Sequence, residues 1–368
     1  MKRLAVLLAC VLVPVLTMPA HSKAQTHKPR ALKAHKWAVV LHGGAGVIER
    51  SSMTPQIEKQ YRDGLRQAIT AAGAVLDKGG SALDAVQAAI EIMEDNPLFN
   101  AGRGAVFAAD GTNQMDASIM DGATMKAGAV ADVQHTRHPI ALARAVMEKT
   151  PFVLLSGTGA DAFSVHAGLQ QEPRSYFFTE SRWQALIKEL KKENLPIPPR
   201  PQGVPPPPTS GRARAQFGNG YIELPDNHNY GTVGVVALDQ HGNVAAGTST
   251  GGLTAKRWDR IGDSPLIGAG TYASNQSCAV SGTGIGEYFI RYTVARTICA
   301  LVQYKHMRLQ AAADQVIQKQ LAPIHGDGGV VAITPDGQTA WSFNTPGMFR
   351  AKLKQGGKVQ IGIYHDEP

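Results

Sequence analysis

Asn229-Tyr230-Gly231-Thr232-Val233-Gly234-Val235-Val236-Ala237-Leu238 divides the chain in two. Upstream, Pro196-Ile197-Pro198-Pro199-Arg200-Pro201 and Pro205-Pro206-Pro207-Pro208 exclude helix and central strand, because proline lacks the amide proton that both need. The composition from Leu195 to about Tyr230 predicts an extended, solvated linker. Such a length inside a compact chain points to a functional use. Downstream, Thr232–Leu238 and Asn243–Thr250 read as two strands joined by the turn Asp239-Gln240-His241-Gly242.

Working outward, Trp37-Ala38-Val39-Val40-Leu41 reads as a buried strand entering the glycine loop His42-Gly43-Gly44-Ala45-Gly46. Helical periodicity covers 55–78 and 81–94, with Ser81 as N-cap and Asn96-Pro97 as stop. Strands are expected at Ala105–Ala108, Met115–Met120 and Ala127–Val133, then helices at Pro139–Lys149 and Ser181–Glu193. Beyond the central hairpin come a strand at Ser277–Gly282, helices at Gly286–Tyr304 and Arg308–Gln320, and a second hairpin, Val330–Thr334 with Thr339–Phe343. Runs of strands and helices without regular βα alternation indicate an α+β or layered body.

The formal net charge of +8 raises nucleic-acid binding, but its location argues otherwise. Lys2, Arg3, Lys23, Lys28, Arg30, Lys33 and Lys36 crowd the N-terminus, and Arg200, Arg212 and Arg214 lie in the linker. Met1-Lys2-Arg3, the apolar run Leu4–Leu16 and small residues ending at Ala24 read as a signal peptide over residues 1–24, implying export, to the periplasm. The run is too short to span a membrane. Lipidation at Cys10 is the alternative. Cys278 and Cys299 then remain, permitting one disulfide and requiring none.

The chemistry centres on Gly231-Thr232. A hydroxyl is a weak nucleophile without a base, and a threonine freed at its own N-terminus carries one. An α-amine titrates at about 7.7–8.0, near working pH. Before the cut, the same hydroxyl attacks the preceding carbonyl, where glycine tolerates the distortion. On these letters alone, Gly231 simply opens a strand and Thr232 is an ordinary β-branched strand residue.

The wider pattern says more. His42-Gly43-Gly44-Ala45-Gly46, Asn96-Pro97-Leu98-Phe99-Asn100-Ala101-Gly102, Met120-Asp121-Gly122, Gly231-Thr232-Val233-Gly234, Thr248-Ser249-Thr250-Gly251-Gly252, Arg260-Ile261-Gly262-Asp263-Ser264-Pro265 and Ser281-Gly282-Thr283-Gly284 follow one another in order. From Trp37 to Tyr364 the chain resembles the plant-type L-asparaginase and isoaspartyl peptidase family of N-terminal-nucleophile (Ntn) hydrolases. The resemblance implies an α+β fold, a four-layer αββα sandwich, in one folded domain. It also implies a cut giving an α subunit, 25–231, and a β subunit, 232–368, paired as a dimer of αβ heterodimers.

By that pattern Thr232 attacks the side-chain amide, Thr250 supports its hydroxyl, and Thr283 with the Gly284 amide forms the oxyanion hole. Arg260 offers a planar fork for a substrate carboxylate and Asp263 an acceptor for its ammonium, with Gly252, Asn100 and Gly286 lining the site. A surface ion pair at a turn is the plainer reading of Arg260 and Asp263. Asn100 is expected to reach the site or to brace its loop. No cofactor is expected for catalysis. A structural sodium ion on the main-chain carbonyls of Met93, Glu94, Asn96, Phe99, Ala101 and Arg103 is implied by the family. Asp259 stands where glycine is common and is expected to alter the loop carrying Arg260. Glycosylasparaginases of the same family usually have aspartate before the threonine, so Gly231 favours isoaspartyl dipeptides and free asparagine as small-molecule substrates.

Other readings are weaker. Gly247-Thr248-Ser249-Thr250-Gly251 fits a serine-hydrolase elbow, which must open straight into a helix. Gly157-Thr158-Gly159-Ala160-Asp161-Ala162 fits a dinucleotide loop, but reads better as a turn capping a helix. A secreted solute-binding protein would remain one chain, without the cut.

Overall fold

Strand β1 (Ala38–Gly46) is buried along its length, and its alternation feeds two cores. Val39 and Leu41 join a cluster with Leu65, Ala72, Val86 and Ile90, whereas Ala38 and Val40 join Val236, Val280 and Val331. The computed structural model describes residues 36–206 and 231–367. The expected leader, Cys10, and the linker from 207 to 230 with Arg212 and Arg214 lie outside the described residues.

The remaining strands are β2 (Met115–Asp121), β3 (Ala127–Val133), β4 (Leu154–Ser156), β5 (Val233–Leu238), β6 (Val244–Thr250), β7 (Thr271–Ala273), β8 (Ala279–Gly284), β9 (Gly328–Ile333), β10 (Thr339–Phe343), β11 (Gly347–Lys354) and β12 (Gln360–Tyr364). Among the described residues they make an eight-stranded sheet, β12-β11-β1-β5-β6-β2-β3-β4, and a four-stranded sheet, β10-β9-β8-β7. β5 and β6 pair antiparallel as the expected hairpin, with Val233 opposite Ser249. β1, β5 and β6 lie against β8 and β9 of the smaller sheet.

The helices are α1 (Pro55–Asp77), α2 (Ala82–Asp95), α3 (Pro139–Lys149), α4 (Gly157–His166), α5 (Arg174–Phe177), α6 (Glu180–Lys192), α7 (Gly286–Arg291), α8 (Val294–Lys305) and α9 (Leu309–Asp314). α1, α2 and α3 bury apolar stripes against the larger sheet, and α8 and α9 against the smaller. Ser81 caps α2 in a capping box with Asp84, and Thr54 caps α1 by accepting from the Ile57 amide at 3.3 Å. Cys278 and Cys299 form a disulfide that ties the start of β8 to α8.

Several expectations need correction. β1 does not stop at Leu41 but runs through the glycines to Gly46, paired with β11. Ala105–Ala108 is no strand: Phe107 is buried against Trp183 of α6, and the Ala108 amide turns back to Thr112. The helix expected over Gly286–Tyr304 breaks at Thr293, which takes a left-handed φ of 44°. There the amides of Ala295 and Arg296 donate to Ala269 and Gly268, so another loop holds the helix start. The helix expected from Arg308 ends as α9, followed by a π-helical stretch, Gln315–Leu321. β8 lies two residues beyond its expected position, and β11 and β12 were not anticipated. Arg200 is not a solvated linker residue: it pairs with Glu180 and covers the Phe178 ring.

Candidate active site

The described chain resumes with Gly231-Thr232, and β5 begins at the next residue, Val233. Its pairing with β6 brings Thr232 beside the last residue of that strand. The Thr232 hydroxyl donates to Thr250 Oγ1 at 2.9 Å, and Thr250 Oγ1 also accepts from the Gly252 amide at 3.0 Å. Both hydroxyls are buried. β1 reaches the same place from the other side. Gly44 has φ +113°, and a Cβ on it would lie 2.5 Å from Gly231 Cα. Only glycine allows that approach.

Thr232 and Thr250 open onto a cleft lined also by Gly231, Gly252, Arg260, Asp263 and Gly284. Thr283, fully buried at the end of β8, accepts from the Ala45 amide at 3.3 Å and keeps its own proton to donate. Gly284 has φ +154°, and a Cβ there would collide with Asp327 O. A Cβ on Gly286 would lie 2.7 Å from Arg260 Nη2 and 3.0 Å from Asp263 Oδ1, so only glycine lets these two groups sit this close to the start of α7.

Arg260 and Asp263 do not form the surface ion pair of the plainer reading. The Arg260 fork is taken by Glu287: Nε donates to Oε1 at 2.9 Å and Nη2 to Oε2 at 3.0 Å. Asp263 is buried, and its Oδ2 has no hydrogen-bond partner. Burial pushes its carboxyl up to about 7, against a weaker opposing pull from its own amide and from Arg260. A buried carboxylate with an open oxygen fits an incoming ammonium. Asp259 takes the left-handed φ of 52° that glycine would adopt, tied down by a bond from Gln114 Nε2 at 2.8 Å.

Asn100 braces its loop. Its amide donates to Gly252 O at 2.8 Å and accepts from the Val106 amide at 3.0 Å, while its Cβ packs close to Gly231. Around it the main chain of Met93–Arg103 curls tightly. Gly102 has φ +51°, and side chains at Gly102 or Gly104 would collide with the carbonyls of Glu94 and Phe99. The carbonyls of Met93, Asn96 and Ala101 each accept one amide, leaving a second lone pair. Those oxygens fit a monovalent cation. Among the described residues no group of three or more His, Cys, Asp or Glu could hold a metal, so an ion in this loop would rest on carbonyls.

The asparaginase family model matches residues 35–363. The chain is 42% identical to an isoaspartyl peptidase of Escherichia coli, over 90% of this chain and 97% of that protein. It is 41% identical to an isoaspartyl peptidase of Salmonella typhimurium, over 90% and 100%, and 38% identical to a plant-type L-asparaginase of Pyrococcus abyssi, over 87% and 97%. The chain belongs to the asparaginase family. Two residues bonded to groups of this site, Glu287 and His42, carry no mark in the sequence. Glu287 sits on the first turn of α7 like any exposed helix acid, and nothing local marks it as the partner of Arg260. His42 was read only as part of a glycine loop. It is fully buried, with Nδ1 3.0 Å from Thr232 O and Nε2 3.0 Å from Ser281 Oγ.

In this asparaginase-family chain the serine-elbow reading fails. Ser249 lies inside β6, donates to the buried Glu94 carboxyl at 2.6 Å, and is followed by loop rather than helix. Gly157 opens α4 directly after β4 with φ +54°, and Ser156 makes no side-chain capping bond there.

Proposed function

We propose that this protein is an isoaspartyl peptidase and L-asparaginase whose nucleophile is Thr232, released by cutting its own Gly231-Thr232 bond. The observation that carries the reading is the Thr232–Thr250 hydroxyl pair, 2.9 Å apart, at a cleft also lined by Arg260 and the open carboxylate of Asp263. The names of the relatives support the same chemistry.

In the uncut chain the Thr232 hydroxyl attacks the Gly231 carbonyl carbon, and its proton is relayed by the Thr250 hydroxyl to the Thr232 nitrogen as the Gly231 C–N bond breaks. The acyl group shifts from nitrogen to oxygen, and water opens the ester, leaving Gly231 a carboxylate and Thr232 a free amine. In turnover that amine takes the hydroxyl proton, and Oγ1 attacks the β-carbonyl of the substrate. Thr283 Oγ1–H and the Gly284 amide hold the oxyanion. The amine or ammonia leaves with a proton, and water releases aspartate from the acyl-enzyme. Arg260 binds the α-carboxylate and Asp263 the α-ammonium. Isoaspartyl dipeptides and asparagine share both groups and differ only in what leaves.

On this reading helices α1–α3, the two sheets, and helices α8–α9 form the αββα sandwich of the Ntn hydrolases. The carbonyls of Met93, Glu94, Asn96, Phe99, Ala101 and Arg103 would hold a sodium ion, which would supply only charge to fix the loop bearing Asn100. The buried Cys278–Cys299 disulfide supports the inferred export to an oxidising compartment. Assembly as a dimer of αβ heterodimers belongs to the same proposal. Turnover of a β-aspartyl dipeptide and of asparagine by wild type, set against Thr232→Ala, tests it. Loss of both activities in the variant is expected, and a variant that still turns either over overturns it.

A further inference from the structure

His42 is the end of a buried polar chain between the sheets. From Thr232 O it runs through the imidazole to Ser281 Oγ, then to Thr248 Oγ1 at 2.7 Å and Thr271 Oγ1 at 2.5 Å. Ser118 Oγ lies 2.8 Å from Thr271 Oγ1 and donates to Ser264 O at 2.6 Å. All five side chains are fully buried. The chain thus joins the carbonyl of Thr232 to that of Ser264, the neighbour of Asp263.

Both termini are carbonyls, which only accept, and this fixes the protons at each end. Nδ1 must carry a hydrogen to reach Thr232 O, so a neutral imidazole accepts at Nε2 from Ser281. Ser118 must give its proton to Ser264 O. The imidazole and four hydroxyls hold one proton each, five for six contacts. At least one of the three links among Ser281, Thr248, Thr271 and Ser118 is therefore unbridged at any moment, and a second whenever Thr248 donates instead to Gly270 O at 3.3 Å. A doubly protonated imidazole would fill all six, yet burial holds His42 down to about 3. The ring stays neutral, and its tautomer is set by Thr232.

The sequence makes room for this contact. Gly234, the second residue of β5, would with any Cβ collide with Ser281 Oγ and His42 Nε2.

We propose that His42 is a positioning residue for the nucleophile: its Nδ1–H fixes the carbonyl of Thr232, and the hydroxyl chain from Ser281 to Ser118 ties that carbonyl to the loop that holds the substrate ammonium. The inference rests on Thr232 being the nucleophile. It concerns placement of the reacting hydroxyl, not substrate affinity, so its signature lies in kcat rather than KM.

The test compares His42→Asn, His42→Gln and Ser281→Ala with wild type. Cutting is read on a denaturing gel, folding by thermal melting, and kcat and KM on asparagine are expressed per cut chain. The Asn amide reaches the Nδ1 position and can still donate to Thr232; the Gln amide reaches only the Nε2 position. His42→Asn should keep kcat within about fivefold, and His42→Gln should lose about twentyfold or more, both with KM within about twofold. Equal kcat for the two variants, or losses confined to KM, would overturn the proposal. If neither folds, Ser281→Ala decides: a kcat lowered about threefold or more at unchanged KM supports it, and wild-type kcat overturns it. A Thr232→Ala protein that remained active would instead remove the nucleophile itself, a separate failure.

Discussion

The Arg260 guanidinium and the Glu287 carboxylate face one another in a two-pronged ion pair, 2.9 and 3.0 Å long, across the mouth of the cleft. Glu287 is half exposed and Arg260 mostly covered, so the acid holds the base in place at the edge of the site. The pair uses Nε and Nη2 and leaves Nη1, which lies against Gly262, as the prong that the proposed function gives to a substrate carboxylate. Glu287→Gln keeps the shape but loses charge and one acceptor. KM for asparagine should rise about three- to tenfold with kcat within about twofold, read from steady-state kinetics.

Asp263 makes a prediction about pH. Its carboxyl is raised from an ordinary 3.8 to about 7 by burial, so the folded state holds the proton more tightly than the unfolded one. That contribution to stability is full below the ordinary value and is lost as pH rises through about 7. Asp263→Asn should therefore melt higher than wild type at about pH 8, by a margin that narrows steadily as pH falls and closes only near about pH 4. Its KM should rise about tenfold or more, because the ammonium loses its charge partner. A melting difference independent of pH would contradict the assignment.

On the proposed function Thr283 stabilises developing charge. Thr283→Val retains volume and removes the donor, and kcat should fall by about 10²–10³ with little change in KM. Cutting and turnover are to be measured separately on this variant.

The disulfide predicts a stability effect without a catalytic one. Cys278 and Cys299 close a loop with a sequence separation of 21, and neither lines the cleft. Replacing both with serine should cost about 2–4 kcal/mol, read by denaturant unfolding, while kcat per cut chain stays within about twofold.

What the sequence revealed follows from the range of the interactions. The β5–β6 hairpin, the Ser81 cap and the Pro139–Lys149 helix are local, and their residues show them. Thr232, Thr250, Arg260 and Asp263 stood out because their motifs recur in a known order. Glu287 and His42 depend on partners 27 and 190 residues away, which no local pattern encodes. The break at Thr293 has the same origin, since the amides that start α8 bond to a distant loop and no glycine or proline announces it. Arg350 hid β11 differently. A buried arginine interrupts the apolar run, and only the fold shows it bonded to the carbonyls of Met348 and Tyr364.

The central claim is the cut before Thr232. Intact mass of the purified wild-type protein, with N-terminal sequencing of its smaller chain, tests it most directly. The account predicts two chains, the smaller beginning Thr232-Val233-Gly234, and a single chain for Thr232→Ala. A wild-type protein that is active as one intact chain, or whose smaller chain begins elsewhere, would contradict it.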